Sequence, residues 1–562
     1  MYLKKVLTAI IIVLFYQTHL YSKSNSFNNF NPKNLSNYFS GIVAFENKKN
    51  SDALNFYNSS KILINQHDPY LKRYVTSLVL ENKVSQAINV IRLNKENENT
   101  KFFDAYLLLI IDSLKRGNFD DAYEQLNRVA DFFSEEKLKL AILNILKEYI
   151  YVFKEKNYFE NRTSYGNLSK ISDAFQKCYL DDRNTENYFL KVINESDSDY
   201  SRYVFFYVSY LIEKGRFSKI PNVLSEYDYI NSKLLISQSK NWVEDRKYEK
   251  FTNIFSCKNH NHIISEFLFL VSNLYSSQDD FEKSNFYLYL SNYLNPKFIY
   301  NLSLVAENYY FNEDFIKAKK ILKGFDKEDK IYYWFRIKKE AQIIAEEDNN
   351  KKRSVAFITS EFNKIKKHNH KMIFDIANFY KSSKDYENAI KYYSKAIEDL
   401  DDNNMIKADV LYRRGGSYER IGEYEKSDKD LLMSLNIEPN DAYVLNYLAY
   451  SWLERDYKID EALDMLKIAY ELESNDPYII DSIGWAYYLI EDYSKAEKFL
   501  QRAVELMPED PIVNDHYGDI LWKLDQKIQA RYFWKNVLKM KKAEKEMKDK
   551  INLKLIIGIN KS

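Results

Sequence analysis

The chain is 562 residues long and carries 82 lysine and arginine residues against 81 aspartate and glutamate residues, a formal net charge of +1. This balance argues against a protein that coats nucleic acid, which would show a clear basic excess. Only 11 glycines and 8 prolines occur, too few for the tight turns of β-sandwiches, barrels or propellers, or for glycine-rich phosphate loops. The composition predicts a long helical protein that is rich in tyrosine (49) and phenylalanine (35).

The first 22 residues have the order of a secretory signal. Two lysines precede an apolar run over residues 6–16, and the small residue Ser22 suits a cleavage site. The run is short for a bilayer span, and a retained anchor is the alternative. No cysteine follows the run, so a lipid anchor is not indicated. The sequence predicts an exported protein, periplasmic or associated with the cell envelope.

Most of the remaining chain repeats with a period close to 34 residues. Ala462, Ala496 and Ala530 are 34 residues apart, and Ala53 and Ala87 show the same step. Each clear unit contains two apolar-periodic segments of about 12 to 14 residues joined by a short polar turn. The pattern predicts helical hairpins that stack along the chain.

One of these units reads DPYIIDSIGWAYYLIEDYSKAEKFLQRAVELMP, with Gly484 and Tyr487 in its first half and Ala496, Ala503 and Pro508 in its second. The unit resembles the tetratricopeptide repeat family, in which small residues let the two helices of a hairpin approach closely. The resemblance implies an all-α fold, a right-handed α-solenoid of helix-turn-helix units, possibly in two arrays. The last three units are also similar to exported bacterial envelope scaffolds of that family.

The clarity of the repeat divides the chain into segments. Residues 23–325 are expected to form a degenerate N-terminal array, and residues 372–538 a well-matched C-terminal array. Between them, residues 326–371 contain lysine- and asparagine-rich stretches and are interpreted as a possible joint or irregular helical segment. One longer loop within a single solenoid is the alternative. Residues 539–562 are expected to cap the open end of the array.

The search for catalytic chemistry gives one weak cluster. Cys257, His260 and His262 could ligate a metal by residue type and spacing, but a solvated loop is the favoured interpretation because no fourth ligand is visible. Cys178 and Cys257 could pair only if the fold brings them together, which the sequence leaves open. We therefore predict no catalytic residues, no metal, no cofactor and no enzymatic activity.

The first helix of each C-terminal unit supplies the candidate binding residues. In the family that the sequence resembles, inward-facing positions of this helix line a concave groove, and helical spacing places them on one face. Aromatic and hydrogen-bonding side chains together are typical of a binding hot spot. The alternative is that these aromatics only pack between neighbouring units. The predicted groove residues are Tyr412, Arg413, Tyr443, Asn446, Tyr447, Tyr450, Asp481, Trp485, Tyr488, Asp515, His516, Asp519 and Trp522.

These observations favour a non-enzymatic scaffold or adaptor of the bacterial envelope that binds a protein partner in the groove. An envelope protease, a cell-wall enzyme or an assembly factor would be a suitable partner, whereas nucleic acid is not expected. Membrane contact is expected only if the N-terminal apolar segment is retained. The alternative function is a cell-wall glycan-binding module, because aromatic side chains also stack on sugar faces. An enzyme that uses the Cys257, His260 and His262 cluster is a third hypothesis.

Overall fold

The computed structural model describes residues 31–65, 67–130, 136–160, 163–195, 201–225, 227, 233–398, 400 and 404–559. These residues fold mainly into α-helices and contain no strand, which confirms the predicted all-α class. Two compact units are present, one formed by residues up to 220 with 242–324 and the other by 221–241 with 325–562. We call them the N-terminal and C-terminal units. The predicted signal segment, residues 1–22, lies outside the described residues.

The N-terminal unit is built from short helices connected by tight turns. Two further helices, α11 (Ile220–Ser225) and α12 (Leu234–Glu244), straddle the boundary between the units. The helices of the N-terminal unit are α1 (Pro32–Glu46), α2 (Asn50–Asn58), α3 (Asp68–Leu80), α4 (Val84–Leu93), α5 (Phe103–Lys115), α6 (Phe119–Ala130), α7 (Lys137–Glu155), α8 (Asn167–Tyr179), α9 (Thr185–Ile193), α10 (Arg202–Glu213), α13 (Glu249–Ile254), α14 (His260–Ser276), α15 (Phe281–Leu294), α16 (Tyr300–Phe311) and α17 (Phe315–Leu322).

Within this unit, the later helices pack back onto the earlier ones. Helix α15 contacts α3, α4 and α5 as well as its hairpin partner α14. The His260 ring nitrogen Nε2 lies 2.9 Å from the carbonyl oxygen of Leu114, and Lys115 Nζ donates to the carbonyl of Tyr293 at 2.7 Å. The N-terminal unit is therefore closed by contacts between its early and its late hairpins, unlike a stack in which each hairpin touches only its neighbours.

A disulfide joins two distant parts of the N-terminal unit. The sulfurs of Cys178, in the last turn of α8, and Cys257, just before α14, are 2.02 Å apart. The pairing that the sequence left open therefore exists. Because Cys257 is bonded to Cys178, it offers no thiolate to a metal, which rules out the disfavoured hypothesis of a ligand cluster with His260 and His262. Burial lowers the pKa of His262 to about 4, as for a neutral histidine inside a helical core.

A buried ion pair lies in the core of the same unit. The guanidinium of Arg202 donates to Glu266 at 2.8 and 2.6 Å, and to Asn301 at 3.1 Å. The guanidinium also lies 3.6 Å from the ring centroid of Phe269. Because both charged side chains are buried, removal of either one would leave an uncompensated buried charge and destabilise the fold.

The C-terminal unit is a series of helical hairpins. Five consecutive hairpins run from α20 to α29, and a last helix, α30, packs against α29. The helices are α18 (Lys330–Glu347), α19 (Lys351–Lys364), α20 (His370–Ser382), α21 (Tyr386–Ile397), α22 (Met405–Arg420), α23 (Tyr424–Ile437), α24 (Ala442–Leu453), α25 (Ile459–Leu472), α26 (Pro477–Leu489), α27 (Tyr493–Leu506), α28 (Pro511–Lys523), α29 (Lys527–Lys539) and α30 (Lys545–Ile557).

Local sequence explains where these helices begin and turn. Asp441, Asp476 and Asp510 are N-caps of the first helices α24, α26 and α28, and each carboxylate accepts two backbone N–H groups. In α26 and α28, proline occupies the first helical position, where no N–H partner is needed. The turns inside the hairpins contain residues with a left-handed backbone conformation, among them Glu491 and Asp525. The same signals recur in successive units, so the hairpins adopt similar local geometry.

Small residues bring the paired helices together. A Cβ on Gly484 would lie 2.8 Å from the Leu500 side chain and 3.1 Å from its backbone nitrogen, and one on Gly518 would lie 2.5 Å from Trp534. Ala496 and Leu500 are fully buried at this contact. The glycines therefore allow a separation between first and second helices that a larger residue would prevent.

The segments on either side of the well-matched repeats are also helical. Residues 326–371 contain the hairpin α18–α19, whose Trp334 and Phe362 pack with Ile376 of α20. Residues 539–562 contain α30, and its Ile551 is buried against the last hairpin. The domain boundaries drawn from the sequence stay predictions. Across the described ranges, no helix is both long and apolar enough to cross a bilayer.

Candidate functional site

The predicted groove residues lie on the first helices of four consecutive hairpins. Helix α22 carries Tyr412 and Arg413, and α24, α26 and α28 carry the others. Their helical spacing places them on one side of each hairpin, which we call the first-helix face. The structure divides this face into a packed aromatic cluster, a set of residues held by α30, a basic group and one exposed tyrosine.

The aromatic cluster is centred on Trp485. The indole is stacked between Tyr488, with ring centroids 4.6 Å apart, and His516, with centroids 4.1 Å apart, and both neighbours are nearly parallel to it. Tyr450 lies near the same imidazole, at a centroid distance of 6.4 Å. Trp485 is therefore held by protein contacts on its faces, and it offers no free face for stacking on a sugar ring.

The imidazole of His516 is part of an ionic contact inside this cluster. Its Nδ1 lies 2.9 Å from Oδ2 of Asp481, and both side chains are buried. Burial opposes protonation of His516, but the carboxylate of Asp481, with Asp515 and Asp519 behind it, raises the pKa of the imidazole. The other carboxylate oxygen of Asp481 has no hydrogen-bond partner among the described residues.

Three further predicted residues contact the terminal helix instead of solvent. Lys554 of α30 donates to Asp515 at 2.6 Å and to both carboxylate oxygens of Asp519 at 2.8 Å. Burial and Asp515 raise the pKa of Asp519 to about 6 despite this ammonium. Trp522 lies 5.3 Å from Trp534 between ring centroids and contacts the backbone position of Gly558. This end of the first-helix face is therefore covered by α30.

The opposite end of the first-helix face is basic. Lys381, at the end of α20, lies close to Gly416 of α22, where a Cβ would be 3.7 Å from its Nζ. Burial, followed by the nearby charges of Arg413 and Arg420, lowers the pKa of Lys381 to about 8. Within the described ranges, no carboxylate forms an ion pair with Lys381. Arg413 itself contacts Asp409 at 3.0 Å.

Lys381 is not among the residues predicted from the sequence, although it occupies an inward position of its hairpin. The same helical spacing that selected Arg413 in the next hairpin would have found it. Tyr447, which was predicted, lies beside this basic group, and its hydroxyl donates to Glu419 at 3.1 Å. Its ring packs edge-on against Tyr412, with centroids 5.6 Å apart.

Two predicted residues of α24 are not held in the packed cluster, one exposed and one with an unsatisfied buried atom. Tyr443 is 53% exposed and lies at the start of the helix, away from the aromatic cluster. Asn446 is half-buried, and its side-chain oxygen accepts no hydrogen bond from the described part of the chain. Exposed or unsatisfied groups of the first-helix face thus occur on α20, α22 and α24, in addition to the unpartnered carboxylate oxygen of Asp481 on α26.

Comparison with known proteins identifies the repeat. A sequence model of the tetratricopeptide repeat family matches residues 370–398 and 479–510. A TPR repeat-containing protein of Pseudomonas aeruginosa is 31% identical over 110 residues, which is 20% of this chain and 18% of that protein. A lipoprotein NlpI homolog of Haemophilus influenzae is also 31% identical over 110 residues, 19% of this chain and 34% of that protein. The chain thus spans about a third or less of the length of these two relatives.

One solved structure matches a larger share of the chain at low similarity. The crystal structure of a tetratricopeptide repeat protein from Parabacteroides merdae covers 45% of this chain and 98% of its own, at 15% identity and a TM-score of 0.38. The family-model matches cover α20 and α21 in the first case, and most of α26 with all of α27 in the second. Tetratricopeptide repeats are protein-interaction modules whose stacked hairpins present an extended concave surface. This chain therefore contains tetratricopeptide repeats.

Proposed function

We propose that this protein is a non-enzymatic adaptor of the bacterial envelope that binds a protein partner on the first-helix face of its C-terminal unit. The observation that carries the proposal is the group of accessible or unsatisfied side chains on α20, α22 and α24, namely Lys381, Arg413, Arg420, Tyr443 and Asn446. A preformed face of this kind loses little conformational entropy when a partner binds. An ammonium without an ion pair gains most when a partner supplies an acidic or hydrogen-bonding group.

The envelope part of the proposal is supported by the disulfide and by one relative. Disulfides persist in oxidising compartments such as the bacterial periplasm and are rare in the cytosol, and Cys178 and Cys257 are joined. One similar protein is named as a lipoprotein homolog. An envelope protease, a cell-wall enzyme or an assembly factor would each fit as a partner in this compartment.

The two predicted tryptophans do not support the glycan-binding alternative. Sugar recognition by stacking needs an exposed aromatic face, and Trp485 is covered by Tyr488 and His516. Trp522 is covered by Trp534 and by Arg531, whose guanidinium lies 4.8 Å from the indole centroid. The two tryptophans that the sequence pointed to are therefore half-buried and packed against protein side chains, and the protein-binding hypothesis is the one we retain.

Site-specific photocrosslinking in living cells tests the proposed function. A photoreactive amino acid is placed at Arg413 or Arg420 of the full chain, and at Ile528 or Tyr532 on the second helix α29 as matched controls. Ile528 and Tyr532 are 85% and 61% exposed, so a partner protein in solution could reach the control positions. We expect a discrete protein adduct from the first two positions and none from the controls. Adducts of equal strength from all four positions, or from none, would contradict the proposal.

A further inference from the structure

A row of exposed apolar side chains recurs along one edge of the C-terminal unit, where each second helix ends and the next first helix begins. Tyr443, Tyr478 and Ile512 occupy the second position of α24, α26 and α28 and are 53%, 56% and 47% exposed. Leu472 and Leu506, the last residues of α25 and α27, are 44% and 37% exposed. We call these five residues the edge ladder.

The edge ladder is continuous because its members have equivalent local environments. The N-cap carboxylates Asp441, Asp476 and Asp510 fix the starts of the three first helices, each accepting from the following backbone N–H groups at 2.9 to 3.2 Å. Helix α26 contacts both α24 and α28 directly. Equivalent side chains of successive hairpins are therefore presented side by side on the same edge, whereas scattered exposed apolar residues are ordinary on any protein surface.

The same edge is uniformly acidic. The three connecting segments, residues 435–445, 470–480 and 504–514, contain no lysine or arginine. Glu473, followed by burial, Asp476 and Asp441, raises the pKa of the Tyr443 hydroxyl, so carboxylates surround the first member of the ladder. A neighbouring cation is Arg502, whose Nη1 lies 3.5 Å from Glu505. The acidic residues of the three segments are Glu438, Asp441, Glu471, Glu473, Asp476, Glu505, Glu509 and Asp510.

The turns at the other ends of the hairpins have a different character. They carry cations, among them Lys426, Arg455, Lys495 and Lys527, which pair with nearby acids. Connecting segments without lysine or arginine, combined with a row of exposed apolar side chains, therefore distinguish the edge between hairpins from the turns. A ligand can bind to this edge without entering the packed aromatic cluster.

We infer that the edge ladder binds a positively charged segment of a partner protein in which lysine or arginine alternates with apolar side chains. The apolar side chains would cover Tyr443, Tyr478 and Ile512, since aromatic and aliphatic anchors dominate interface energies. The lysine or arginine side chains of the partner would lie against the carboxylates beside the edge ladder. This charge complementarity speeds association and selects a positively charged partner. An anionic membrane surface and a second copy of this same edge carry the wrong charge. The inference rests on the proposed function, whose partner chemistry it names.

Binding of two synthetic peptides to the full chain tests the inference. The probes are a fluorescein-labelled 15-residue peptide of leucine and lysine and its counterpart of leucine and glutamate, followed by fluorescence anisotropy at low and physiological salt. We expect the lysine peptide to bind and the glutamate peptide not to bind, with an affinity that falls as salt rises. The variant Tyr443→Ser/Tyr478→Ser/Ile512→Ser should bind at least about tenfold more weakly, because the apolar anchors are lost.

Matched control variants distinguish binding at the edge ladder from non-specific hydrophobic or electrostatic binding of the peptide. Ile528→Ser/Tyr532→Ser removes exposed apolar side chains elsewhere in the unit and should leave the affinity unchanged. The variant Glu438→Gln/Glu473→Gln/Glu509→Gln should weaken binding and flatten its salt dependence. Its control, which neutralises the exposed Glu425, Glu461 and Glu491 of the second helices and turns, should do neither.

Three results would overturn the inference: no binding of the lysine peptide, preference for the glutamate peptide, or equal weakening by ladder and control variants. These results are distinguishable from failure of the proposed function. Protein adducts at Arg413 and Arg420 that persist in the ladder variant would retain the adaptor function while removing the edge ladder from it. Loss of all adducts in the wild-type chain would instead remove the proposed function itself.

Discussion

His516 is held between the indole of Trp485 and the carboxylate of Asp481, and its titration is therefore linked to folding. Because its pKa is raised in the fold, it contributes stability in full below about pH 6.5, its unfolded value, and this is lost as pH rises through the folded pKa. Asp519, whose pKa is raised to about 6, acts in the same direction at lower pH, since its ionised form is disfavoured in the fold.

We therefore expect the C-terminal unit to become less stable as the pH rises above about 6.5. Each group contributes at most about 1.4 kcal/mol per pH unit. Urea unfolding followed by circular dichroism at several pH values measures the effect. His516→Gln should remove most of the pH dependence of the free energy of unfolding in this window. Asp481→Asn should shift that pH dependence to lower pH, because the carboxylate that favours the imidazolium is gone. A slope that both variants retain would show that other groups cause it.

At the scale of single residues, helical spacing alone predicted which side chains lie on the same face of a helix. It did not predict which of these side chains remain exposed to a partner. Trp485 was predicted as a contact residue, yet one of its neighbours, His516, comes from the next hairpin. Similarly, Asp515 and Asp519 are bound by Lys554 of α30, a helix whose register no repeat pattern gives. Exposure depends on these contacts between units, so the first-helix face could be read from the sequence and its open half could not.

Between paired helices, two glycines of the C-terminal unit provide a controlled test of close packing. A Cβ on Gly484 would meet the Leu500 side chain at 2.8 Å and its backbone at 3.1 Å, whereas one on Gly416 would meet mainly the Tyr447 hydroxyl at 3.2 Å. The first obstacle is the facing helix itself. The second is the end of a half-buried side chain that can rotate.

We expect Gly484→Ala to destabilise the C-terminal unit by about 1–3 kcal/mol, since α26 and α27 must move apart. Gly416→Ala should be neutral or slightly stabilising, because alanine gains up to about 1 kcal/mol over glycine within a helix. Thermal unfolding of both variants beside the wild type measures the difference. Equal destabilisation would indicate that glycine is needed at both positions, and no change in either would mean that the close approach is not limiting.

Helix signals explain why the elements themselves were predictable. The hairpins of residues 372–538 have regular apolar spacing, alanine or glycine at the contact and aspartate N-caps, so period and caps agree. In residues 326–371 the polar composition suggested a joint. Nevertheless, Asp329, Asn350 and Asn369 are side-chain N-caps of α18, α19 and α20, and these caps were the signal available for a helical hairpin there.

On the scale of the molecule, the solenoid of the C-terminal unit followed from its period, whereas the closure of the N-terminal unit did not. Repeats predict contacts between neighbours, about one period apart in sequence. The contact of His260 with Leu114 joins residues 146 positions apart, and that of Tyr309 with Leu80 joins residues 229 positions apart. Such contacts leave no periodic trace, and neither does the pairing of two lone cysteines.

The disulfide gives a prediction for the molecule as a whole, because it belongs to one of its two units. The disulfide closes a loop over a sequence separation of 79 residues. In the chain-entropy model, the lost conformational entropy raises the free energy of the unfolded chain by about 4.5 kcal/mol. Reduction, or the variant Cys178→Ser/Cys257→Ser, should therefore lower the unfolding temperature of the N-terminal unit and leave that of the C-terminal unit unchanged. Scanning calorimetry of the full chain, with and without reductant, measures both.

The thiol state of the protein made in cells completes this test. Protein recovered from the envelope under denaturing conditions should react with an alkylating reagent at two sites only after reduction, because both cysteines are paired. The same chain without its first 22 residues, kept in the reducing cytosol, should react without prior reduction. Mass spectrometry counts the added groups. Free thiols in the envelope-derived protein would contradict both the export of the chain and the stabilising role of the bond, since a bond that is not formed there constrains nothing.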